Sequence, residues 1–333
     1  SCVALNHFLA SLTTIKTEIT QLIVVTALTD ESATQSPNVL TVAHRAALCM
    51  QSVAAAHELQ DWTIRAVEMD QEPGSLQALL SLLGADGESG LRLQIKAGNI
   101  QTLQADALAP ANDEISFSPE KLQVITGGLG GLGLLTAQWM FKRGARQFLL
   151  VGRSAPSKEA ESALASLNEK GARAQAYRCD VSQYEQVVSL ATEAAQIAPV
   201  ETIVHAAGMN RDGLISSLKD DDFTALTQGK AVAAVNLHKA FMSLKPELTV
   251  YYSSIAAWLG GAGQSNYCAA NAALDSLAQQ YSASGSKTVS VAWGPWNNTG
   301  MTAALSESHQ ARIGSTGYGF LTPDTGFSLL GCY

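Results

Sequence analysis

Apolar residues in the first third of the chain follow two different periods, and together these predict alternating strands and helices. Continuous apolar runs and strict alternation are typical of strands, whereas apolar residues three or four positions apart are typical of helices. The predicted elements are strands at 22–28 and 62–70, helices at 38–59 and 74–84, and a hairpin at 91–104 that turns at 97–99. A polar, proline-containing stretch at 109–120 then predicts a linker.

From residue 121 onward the pattern becomes a regular alternation of strand and helix. The predicted strands are 122–126, 146–154, 172–181, 202–208, 248–254 and 288–294, and the predicted helices are 134–144, 158–170, 183–197 and 266–283. This alternation is typical of α/β proteins with a doubly wound, mostly parallel sheet. The sequence therefore predicts a Rossmann-like fold for this part of the chain.

Composition narrows the class of protein. Of 333 residues, 47% are hydrophobic and 15% are charged, which indicates a folded core. The net charge of −8 argues against nucleic acid as the main partner. No stretch of 18 residues is apolar and free of charge and glycine, and no basic segment precedes the apolar N-terminus, so neither a membrane span nor a signal peptide is expected. Five isolated cysteines predict no disulfide framework, no metal site and a cytoplasmic location. The abrupt ends suggest an excised piece of a longer protein.

The most informative motif is VITGGLGGLG at 124–133, which lies between a predicted strand and a predicted helix. Glycines at such a turn allow a pyrophosphate to approach the N–H groups of the helix N-terminus. The alternative is an ordinary tight turn. The position after a strand and before a helix favours nucleotide binding.

The following strand ends distinguish between cofactors. An acidic residue at the end of the second strand would bind the ribose of NAD, but Arg153 and Ser154 stand there and suit a 2′-phosphate. NADPH is therefore the predicted cofactor, unless Arg153 is simply a solvated loop residue. Asp180 follows the third strand and could meet the adenine edge. The residues predicted to bind the cofactor are Thr126, Gly127, Gly128, Gly130, Gly131, Leu132, Gly133, Arg153, Ser154, Asp180, Val181, Ala206, Ala207, Gly208, Pro295 and Trp296.

Four residues downstream could together reduce a carbonyl group. Tyr267 and Asn271 share one helix face, Ser254 ends the preceding strand, and Lys230 lies further upstream. Tyr267 would donate a proton to the carbonyl oxygen, and Lys230 would lower the pKa of its phenol. Ser254 would hydrogen-bond the same oxygen, and Asn271 would orient Lys230 or a water. Each residue alone has an ordinary structural role, and only their occurrence with the glycine loop indicates catalysis.

These motifs resemble the ketoreductase domain of modular polyketide synthases and related type I fatty acid synthases, within the short-chain dehydrogenase/reductase superfamily. The matching stretches are VITGGLGGLG, FLLVGRS, CDVS, VHAAG, GKAVAAVNLH, YYSSIAAWLGGAGQSNYCAANAALDSLA and VAWGPWNNTGM. Ordinary members of the superfamily carry a Lys four residues after the Tyr. Here Asn271 stands there and Lys230 is upstream, which marks the polyketide and fatty-acid ketoreductases.

The resemblance implies a two-part organisation. Residues 1–117 would form a truncated Rossmann-like structural subdomain that binds no nucleotide, and residues 118–333 the catalytic subdomain. An independent binding module is the alternative for the first part. The resemblance also implies a β-ketoacyl substrate carried on the phosphopantetheine arm of an acyl carrier protein, with neighbouring synthase domains in the same polypeptide.

The same resemblance predicts the substrate side of the site. Residues 297–314 would form a lid, and Pro295 and Trp296 would lie beside the nicotinamide, although core packing is the commoner role of a Trp. B-type members carry Leu-Asp-Asp where this chain has Asn-Arg-Asp at 210–212, and A-type members carry a Trp where Leu259 stands. The retained Asp favours the B-type product, a 3R hydroxyl. The residues predicted to contact substrate or control stereochemistry are Asp212, Arg211, Trp258, Leu259, Gln264 and Met301.

Two other functions are compatible with these motifs. The chain could bind cofactor without reducing a ketone, as a scaffold or epimerase. It could also be a free-standing dehydrogenase of a soluble alcohol. All four candidate catalytic residues are present, which favours an active β-ketoacyl reductase.

Overall fold

The structure is a computed structural model that describes residues 1–14, 20–28, 39–83, 89–102, 106, 115–297 and 319–331. Parts of five predicted features lie outside the described residues: the start of the first predicted helix at residue 38, the end of the next at Gly84, residues 103–104 of the hairpin, residues 109–114 of the linker, and all of the proposed lid after Asn297. The described cysteines are free thiols at Cys2, Cys49, Cys179 and Cys268.

The first part of the chain forms a four-stranded sheet in the order β1-β2-β3-β4. Its elements are α1 (Cys2–Leu12), β1 (Gln21–Ala27), α2 (Val39–Ala56), β2 (Thr63–Met69), α3 (Ser75–Leu82), β3 (Leu91–Lys96) and β4 (Asn99–Thr102). Strands β1 to β3 are parallel and β4 is antiparallel to β3. The predicted hairpin is confirmed, and its turn has positive φ at Ala97 and Gly98, as a two-residue turn between twisted strands requires.

Helix α2 packs against strands β1, β2 and β3 of this sheet. Among the described residues it is the one helix long and apolar enough to cross a membrane by length and composition, with a mean hydropathy of 1.3. However, 61% of it is buried inside the protein, with Met50, Ala54 and Ala55 among its buried residues. Burial therefore accounts for its apolar composition, because a core helix passes the same test.

The second sheet has six strands in the order β10-β9-β8-β5-β6-β7. Its strands and the helices between and after them are β5 (Leu122–Thr126), α4 (Gly131–Lys142), β6 (Gln147–Gly152), α5 (Lys158–Glu169), β7 (Arg173–Arg178), α6 (Tyr184–Ile197), β8 (Val200–His205), α7 (Asp220–Thr227), α8 (Ala233–Phe241), β9 (Leu248–Ser254), α9 (Ala256–Leu259), α10 (Ser265–Ala283), β10 (Thr288–Trp293) and α11 (Pro323–Leu330). The pairings β7-β6, β6-β5, β5-β8 and β8-β9 are parallel. This is the doubly wound arrangement that the alternating pattern predicted.

Helices cover both faces of this sheet, which explains the nearly continuous apolar strands. All five residues of β5 are buried, and they alternate between two cores. Ile125 belongs to an aromatic core that includes Trp139, Phe148 and Phe327. Leu122 and Val124 belong instead to an aliphatic core on the other face. Strand order reverses on either side of β5, so the carboxyl ends of β5 and β8 border the crevice where such folds bind ligands.

Two differences from the predicted elements affect the site. Helix α4 begins at Gly131, three residues before its predicted start, because the last glycines of the motif belong to the helix and not to the turn. Helices α7 and α8, joined by a π-helical turn at Gln228–Val232, were not predicted. These two helices are only eight and nine residues long, so neither shows an apolar period over several turns in the sequence.

By their contacts, residues group into two compact units that do not follow chain order. One unit contains Ser1–Ala107, Asn210–Thr227 and Ser253–Gln280. The other contains Leu108–Met209, Gln228–Tyr252 and Tyr281–Tyr333. The division at residues 117 and 118 stays a prediction about chain order.

Candidate active site

The glycine motif forms a very tight turn between β5 and α4. Gly127 has φ +69°, and a Cβ there would lie 2.7 Å from the Cα of Ala207. A Cβ on Gly128 would lie 2.5 Å from the carbonyl oxygen of Ile125, and one on Gly133 would meet the carbonyl oxygen of Gly127. These three glycines are therefore required by the packing of the chain itself.

The other two glycines of the motif have a different environment. Gly130 and Gly131 are exposed, and a Cβ on Gly130 would meet no backbone atom closer than 3.4 Å. Gly130 is the N-cap of α4, and no side chain caps this helix. The first N–H groups of α4 therefore face the crevice with the positive end of the helix dipole, which fits the pyrophosphate of a dinucleotide.

A second cation stands beside Arg153, and sequence reasoning missed it. Arg153 and Ser154 are exposed just after β6. Arg178, the last residue of β7, pairs in register with Gly152, and its Nε donates a hydrogen bond to the carbonyl oxygen of Arg153 at 3.1 Å. The parallel pairing of β6 and β7 puts both arginines at one sheet edge. The signal was in the sequence, because the end of the neighbouring strand also carries an Arg.

Asp180 and Val181 are held by the chain at the end of the third strand. The carboxylate of Asp180 accepts hydrogen bonds from the N–H and the hydroxyl of Ser182, at 3.0 and 2.8 Å. Val181 is buried in the aliphatic core. Asp180 is only half-buried, so its carboxylate keeps an accessible side for the predicted adenine contact.

A buried histidine lies beneath the glycine turn. The Nδ1 of His205 lies 2.7 Å from the hydroxyl of Thr126, and its Nε2 lies 3.2 Å from the carbonyl oxygen of Lys230. Burial, and secondarily the charge of Lys230, lowers the pKa of His205 to about 3, so the ring is neutral. Thr126 therefore uses its hydroxyl to support the turn from within, and its carbonyl oxygen accepts a hydrogen bond from the N–H of Ala206 at 3.0 Å, so its contact with the cofactor stays a prediction.

Lys230 is a buried cation at an irregular point of the chain. It lies in the π-helical turn, a feature that often marks functional sites, and only 4% of it is exposed. Its Nζ donates a hydrogen bond to the carbonyl oxygen of Tyr252 at 2.8 Å. A Cβ on Gly208 would lie 3.7 Å from its Cε, so the small residues after β8 leave room beside the ammonium group.

Three of the four candidate catalytic residues form one cluster. The phenol of Tyr267 is hydrogen-bonded to the side chains of Ser254 and Asn271. Burial raises the pKa of Tyr267 to about 12, against the opposing effect of these two hydrogen bonds. The phenol is therefore protonated at neutral pH, and a nearby positive charge is needed to stabilise its anion.

Asn271 has an unsatisfied acceptor in this cluster. Its Nδ2 donates to the carbonyl oxygen of Tyr267 at 2.9 Å, which fixes the orientation of the amide because a carbonyl can only accept. Its Oδ1 is buried and has no hydrogen-bond partner. A buried acceptor of this kind fits an ammonium group or a bound water, as predicted for Asn271.

Comparison with known proteins identifies the family. A family model described as the KR domain matches residues 122–298, more than half of the chain. The chain belongs to the ketoreductase domain family. Polyketide synthase GfsA of Streptomyces halstedii is 37% identical over 216 residues, which are 65% of this chain and 3% of that protein. Polyketide synthase Pks1 of Mycobacterium tuberculosis, whose name describes it as inactive, is 38% identical over 204 residues, which are 60% of this chain and 13% of that protein.

Solved ketoreductases share the fold of this ketoreductase domain. PlmKR1, the ketoreductase from the first module of phoslactomycin biosynthesis in Streptomyces sp. HK803, superposes with a TM-score of 0.81 and 28% identity. The match covers 99% of this chain and 76% of that chain. The predicted family and the Rossmann-like fold class are therefore confirmed. The curated relatives of this chain are multidomain polyketide synthases, and the chain spans only a small part of their length.

Five of the six predicted stereocontrol residues belong to the same compact unit of the ketoreductase domain as Tyr267. The carboxylate of Asp212 accepts a hydrogen bond from the Nε2 of Gln264 at 3.1 Å. The backbone carbonyl of Arg211 accepts one from Asn266, the residue before Tyr267, at 2.8 Å. Trp258 and Leu259 on α9 are exposed, at 43% and 38%. Met301 lies outside the described residues.

The two residues predicted to lie beside the nicotinamide differ in burial. Pro295 is half-buried. Trp296 is 6% exposed, and its ring packs 4.8 Å from that of Trp293 and 5.3 Å from that of Phe327. The indole of Trp296 thus belongs to the aromatic core, the alternative that sequence analysis left open, and a contact with the cofactor would have to come from its backbone.

Proposed function

We propose that this ketoreductase domain uses NADPH to reduce a β-ketoacyl thioester to the β-hydroxyacyl thioester. The observation that carries the proposal is the buried cluster of Tyr267, Ser254 and Asn271, in which a protonated phenol is held by two polar side chains. Such a cluster suits the delivery of one proton to a carbonyl oxygen. The oxidoreductase class follows from the family, whereas the cofactor and the carried substrate are parts of the proposal.

The cofactor is assigned from the crevice at the ends of β5 and β6. Its pyrophosphate would lie at the uncapped N-terminus of α4, over Gly130 and Gly131. Arg153, Ser154 and Arg178 would bind the 2′-phosphate, which distinguishes NADPH from NADH. When bound, NADPH supplies the hydride for the reduction.

The chain itself supplies the proton and stabilises the charge. Tyr267 donates its phenolic proton to the carbonyl oxygen, and the hydroxyl of Ser254 donates a hydrogen bond to the same oxygen. Loss of the proton leaves a phenolate that burial disfavours. The ammonium of Lys230 would offset this cost, and Asn271 would orient that ammonium or a water that returns the proton.

The physiological substrate would arrive on a phosphopantetheine arm. The relatives of this chain are polyketide synthases, which supports neighbouring synthase domains in the same polypeptide. An acyl carrier protein would then be the partner that presents the substrate. The cytoplasm would be the location of the whole protein. The retained Asp212 favours the B-type product, a 3R hydroxyl. Residues 297–314 would close over the bound chain.

A single assay separates this proposal from its alternatives. NADPH oxidation is measured with a short diketide thioester as substrate, and NADP reduction is measured with simple alcohols. The alcohol formed from the thioester is then analysed by chiral chromatography. Reduction of the thioester with 3R product is expected. Cofactor binding without turnover would indicate a reduction-silent domain, and turnover of alcohols alone would indicate a free-standing dehydrogenase.

A pair of tyrosine variants tests the role of the cluster. Tyr267→Phe is expected to lower kcat by about 1,000-fold while cofactor binding is retained, because only the proton donor is removed. Tyr281→Phe removes the same hydroxyl from the same helix, where the ring stacks on His238 at 3.6 Å, and is expected to keep its kcat. Full activity of Tyr267→Phe would refute the mechanism.

A further inference from the structure

One carboxylate near the end of α2 holds two distant segments of the chain. Glu58 accepts a hydrogen bond from the N–H of Ile215 at 2.7 Å with one oxygen, and from the N–H of Gly263 at 2.9 Å with the other. These partners lie 157 and 205 positions away in the sequence. All three residues belong to the same compact unit. Both oxygens of the carboxylate are therefore used to tie together two loops.

The two loops carry the residues predicted to control stereochemistry. The loop before Ile215 contains Asp212, and the loop before α10 contains Gln264, and the side chains of these two residues are hydrogen-bonded. The N–H of Gly213 also donates to the carbonyl oxygen of Gly263 at 2.9 Å. The pair of loops leads directly into the helix that carries Tyr267. A shift in either loop would therefore move Asp212, whose charge acts on the phenol of Tyr267.

A second contact comes from the residue next to Glu58. The Nε2 of His57 donates a hydrogen bond to the carbonyl oxygen of Leu259 at 3.0 Å. A Cβ on Gly260 would lie 3.0 Å from the same nitrogen, so the loop passes close against this side chain. His57 and Glu58 follow the buried last turn of α2, where Ala54 and Ala55 are fully buried. The loops are thus tied to the end of a buried helix of their unit.

We propose that Glu58, with His57, is a positioning residue that sets the orientation of the substrate relative to Tyr267. The inference rests on the proposed function, and it gives the N-terminal part of the chain a direct influence on the reaction. The negative charge makes both N–H hydrogen bonds strong, and it holds Asp212 and Gln264 in one arrangement. Because the two loops lead into the helix of Tyr267 and the charge of Asp212 acts on its phenol, that arrangement decides which face of the β-keto group is presented for reduction.

The test uses Glu58→Gln and Glu58→Ala in the whole chain, with Glu201→Gln as the matched control. Glu201 is also a carboxylate clamp, since it accepts from the N–H of Ser118 at 3.1 Å and from the amide of Gln123, but it belongs to the other compact unit. Three quantities are measured: amide hydrogen exchange without substrate, the melting temperature, and the ratio of the two product alcohols from a diketide thioester.

The expected result separates positioning from general stability. In both Glu58 variants the amides of Gly213, Ile215 and Gly263 should exchange about tenfold faster, because each loop loses a charge-assisted hydrogen bond. The minor alcohol should rise at least about fivefold, with a higher KM. Glu201→Gln should lower the melting temperature by as much as Glu58→Gln does and should accelerate exchange at Ser118. It should leave the product ratio unchanged.

Each possible failure has a distinct signature. If Glu58→Gln keeps both the exchange rates and the product ratio of the unmodified protein, or if Glu201→Gln alters that ratio equally, the positioning role is overturned. If Glu58→Ala does not fold, Glu58→Gln and His57→Ala provide the same comparison. If the unmodified protein reduces no thioester, the proposed function fails, whereas unchanged exchange in the Glu58 variants refutes the clamp itself.

Discussion

Two strand-to-helix turns in this ketoreductase domain meet the same electrostatic requirement in opposite ways. Each helix begins with N–H groups that lack partners and attract negative charge. In the turn from β2 to α3, Asp70 places a negative charge beside the start of the helix without capping it. Its carboxylate accepts hydrogen bonds from the hydroxyl of Ser75 and from the N–H groups of Glu72 and Ala97, and the N-cap Gly74 has no side-chain cap. In the turn from β5 to α4 no side chain places such a charge at the helix.

The difference shows what distinguishes a structural turn from a binding turn. The bonds to Ser75, and then to Ala97, lower the pKa of Asp70, so the first turn holds a carboxylate of its own beside the helix. The second turn has the tighter backbone but leaves Gly130 and Gly131 exposed. A helix N-terminus left uncapped beside a topological switch point is where an anionic ligand would complete the structure.

The largest effect on this difference between the turns is expected from placing a negative charge at the start of α4. Gly130→Asp places a carboxylate at the N-cap of α4, where the backbone φ of −97° and ψ of 168° suit any residue. Its charge should repel the pyrophosphate and weaken NADPH binding by at least about 100-fold, while the melting temperature is unchanged or slightly higher. Fluorescence titration measures the affinity.

The matched control for this substitution is Gly130→Asn, which has the same shape without the charge. It should retain most of the affinity. Equal affinity of the Asp and Asn variants would mean that no phosphate lies at this helix.

A smaller effect is expected at the edge of the same crevice. Arg153→Gln and Arg178→Gln should each weaken the binding of 2′,5′-ADP by about tenfold and leave 5′-AMP unaffected, because each removes a charge-assisted contact to the 2′-phosphate. Arg173→Gln, at the opposite end of the strand that Arg178 ends, should change neither affinity. Calorimetric titration of both nucleotides gives the comparison, and an unaltered preference in Arg178→Gln would remove this residue from the site.

The buried His205 beneath the turn from β5 to α4 should make the free energy of unfolding depend on pH. The pKa of His205 falls from 6.5 to about 3 on folding, mainly because of burial, so the unfolded chain binds more protons between these values. Its contribution to stability is complete above pH 6.5 and is lost as the pH falls towards 3, by up to about 1.4 kcal/mol per pH unit. Urea unfolding at several pH values should show a shallower dependence for His205→Gln, and parallel curves would contradict the assignment.

The smallest effect is expected in the turn from β2 to α3. Asp70→Asn should lower the melting temperature modestly at neutral pH and leave NADPH binding intact. Because folding lowers the pKa of Asp70 from 3.8, its contribution is present above that value and disappears as the pH falls below it, so the two melting curves should converge in acid. Asp61→Asn, which changes an exposed carboxylate just before the other end of β2, serves as control. A loss of cofactor affinity in Asp70→Asn would erase the distinction between the turns.

Much of the fold could be predicted because its signals are local. Strand β5 and its neighbours are buried on both faces, so their apolar runs stand out. The turn glycines stand out as well, since the backbone at Gly127 and Gly133 admits no side chain. Helices α7 and α8 were missed because they are only eight and nine residues long, so neither repeats an apolar pattern over enough turns to stand out.

The sequence by itself determined the alternation of strands and helices, the glycine turn and the shared helix face of Tyr267 and Asn271, because these depend on residues a few positions apart. Only the tertiary structure decided that Arg178 lies beside Arg153 and that Trp296 packs in the core. It also showed that Glu58 binds two loops more than 150 residues away. Such contacts depend on how distant segments pack, and no local pattern records them.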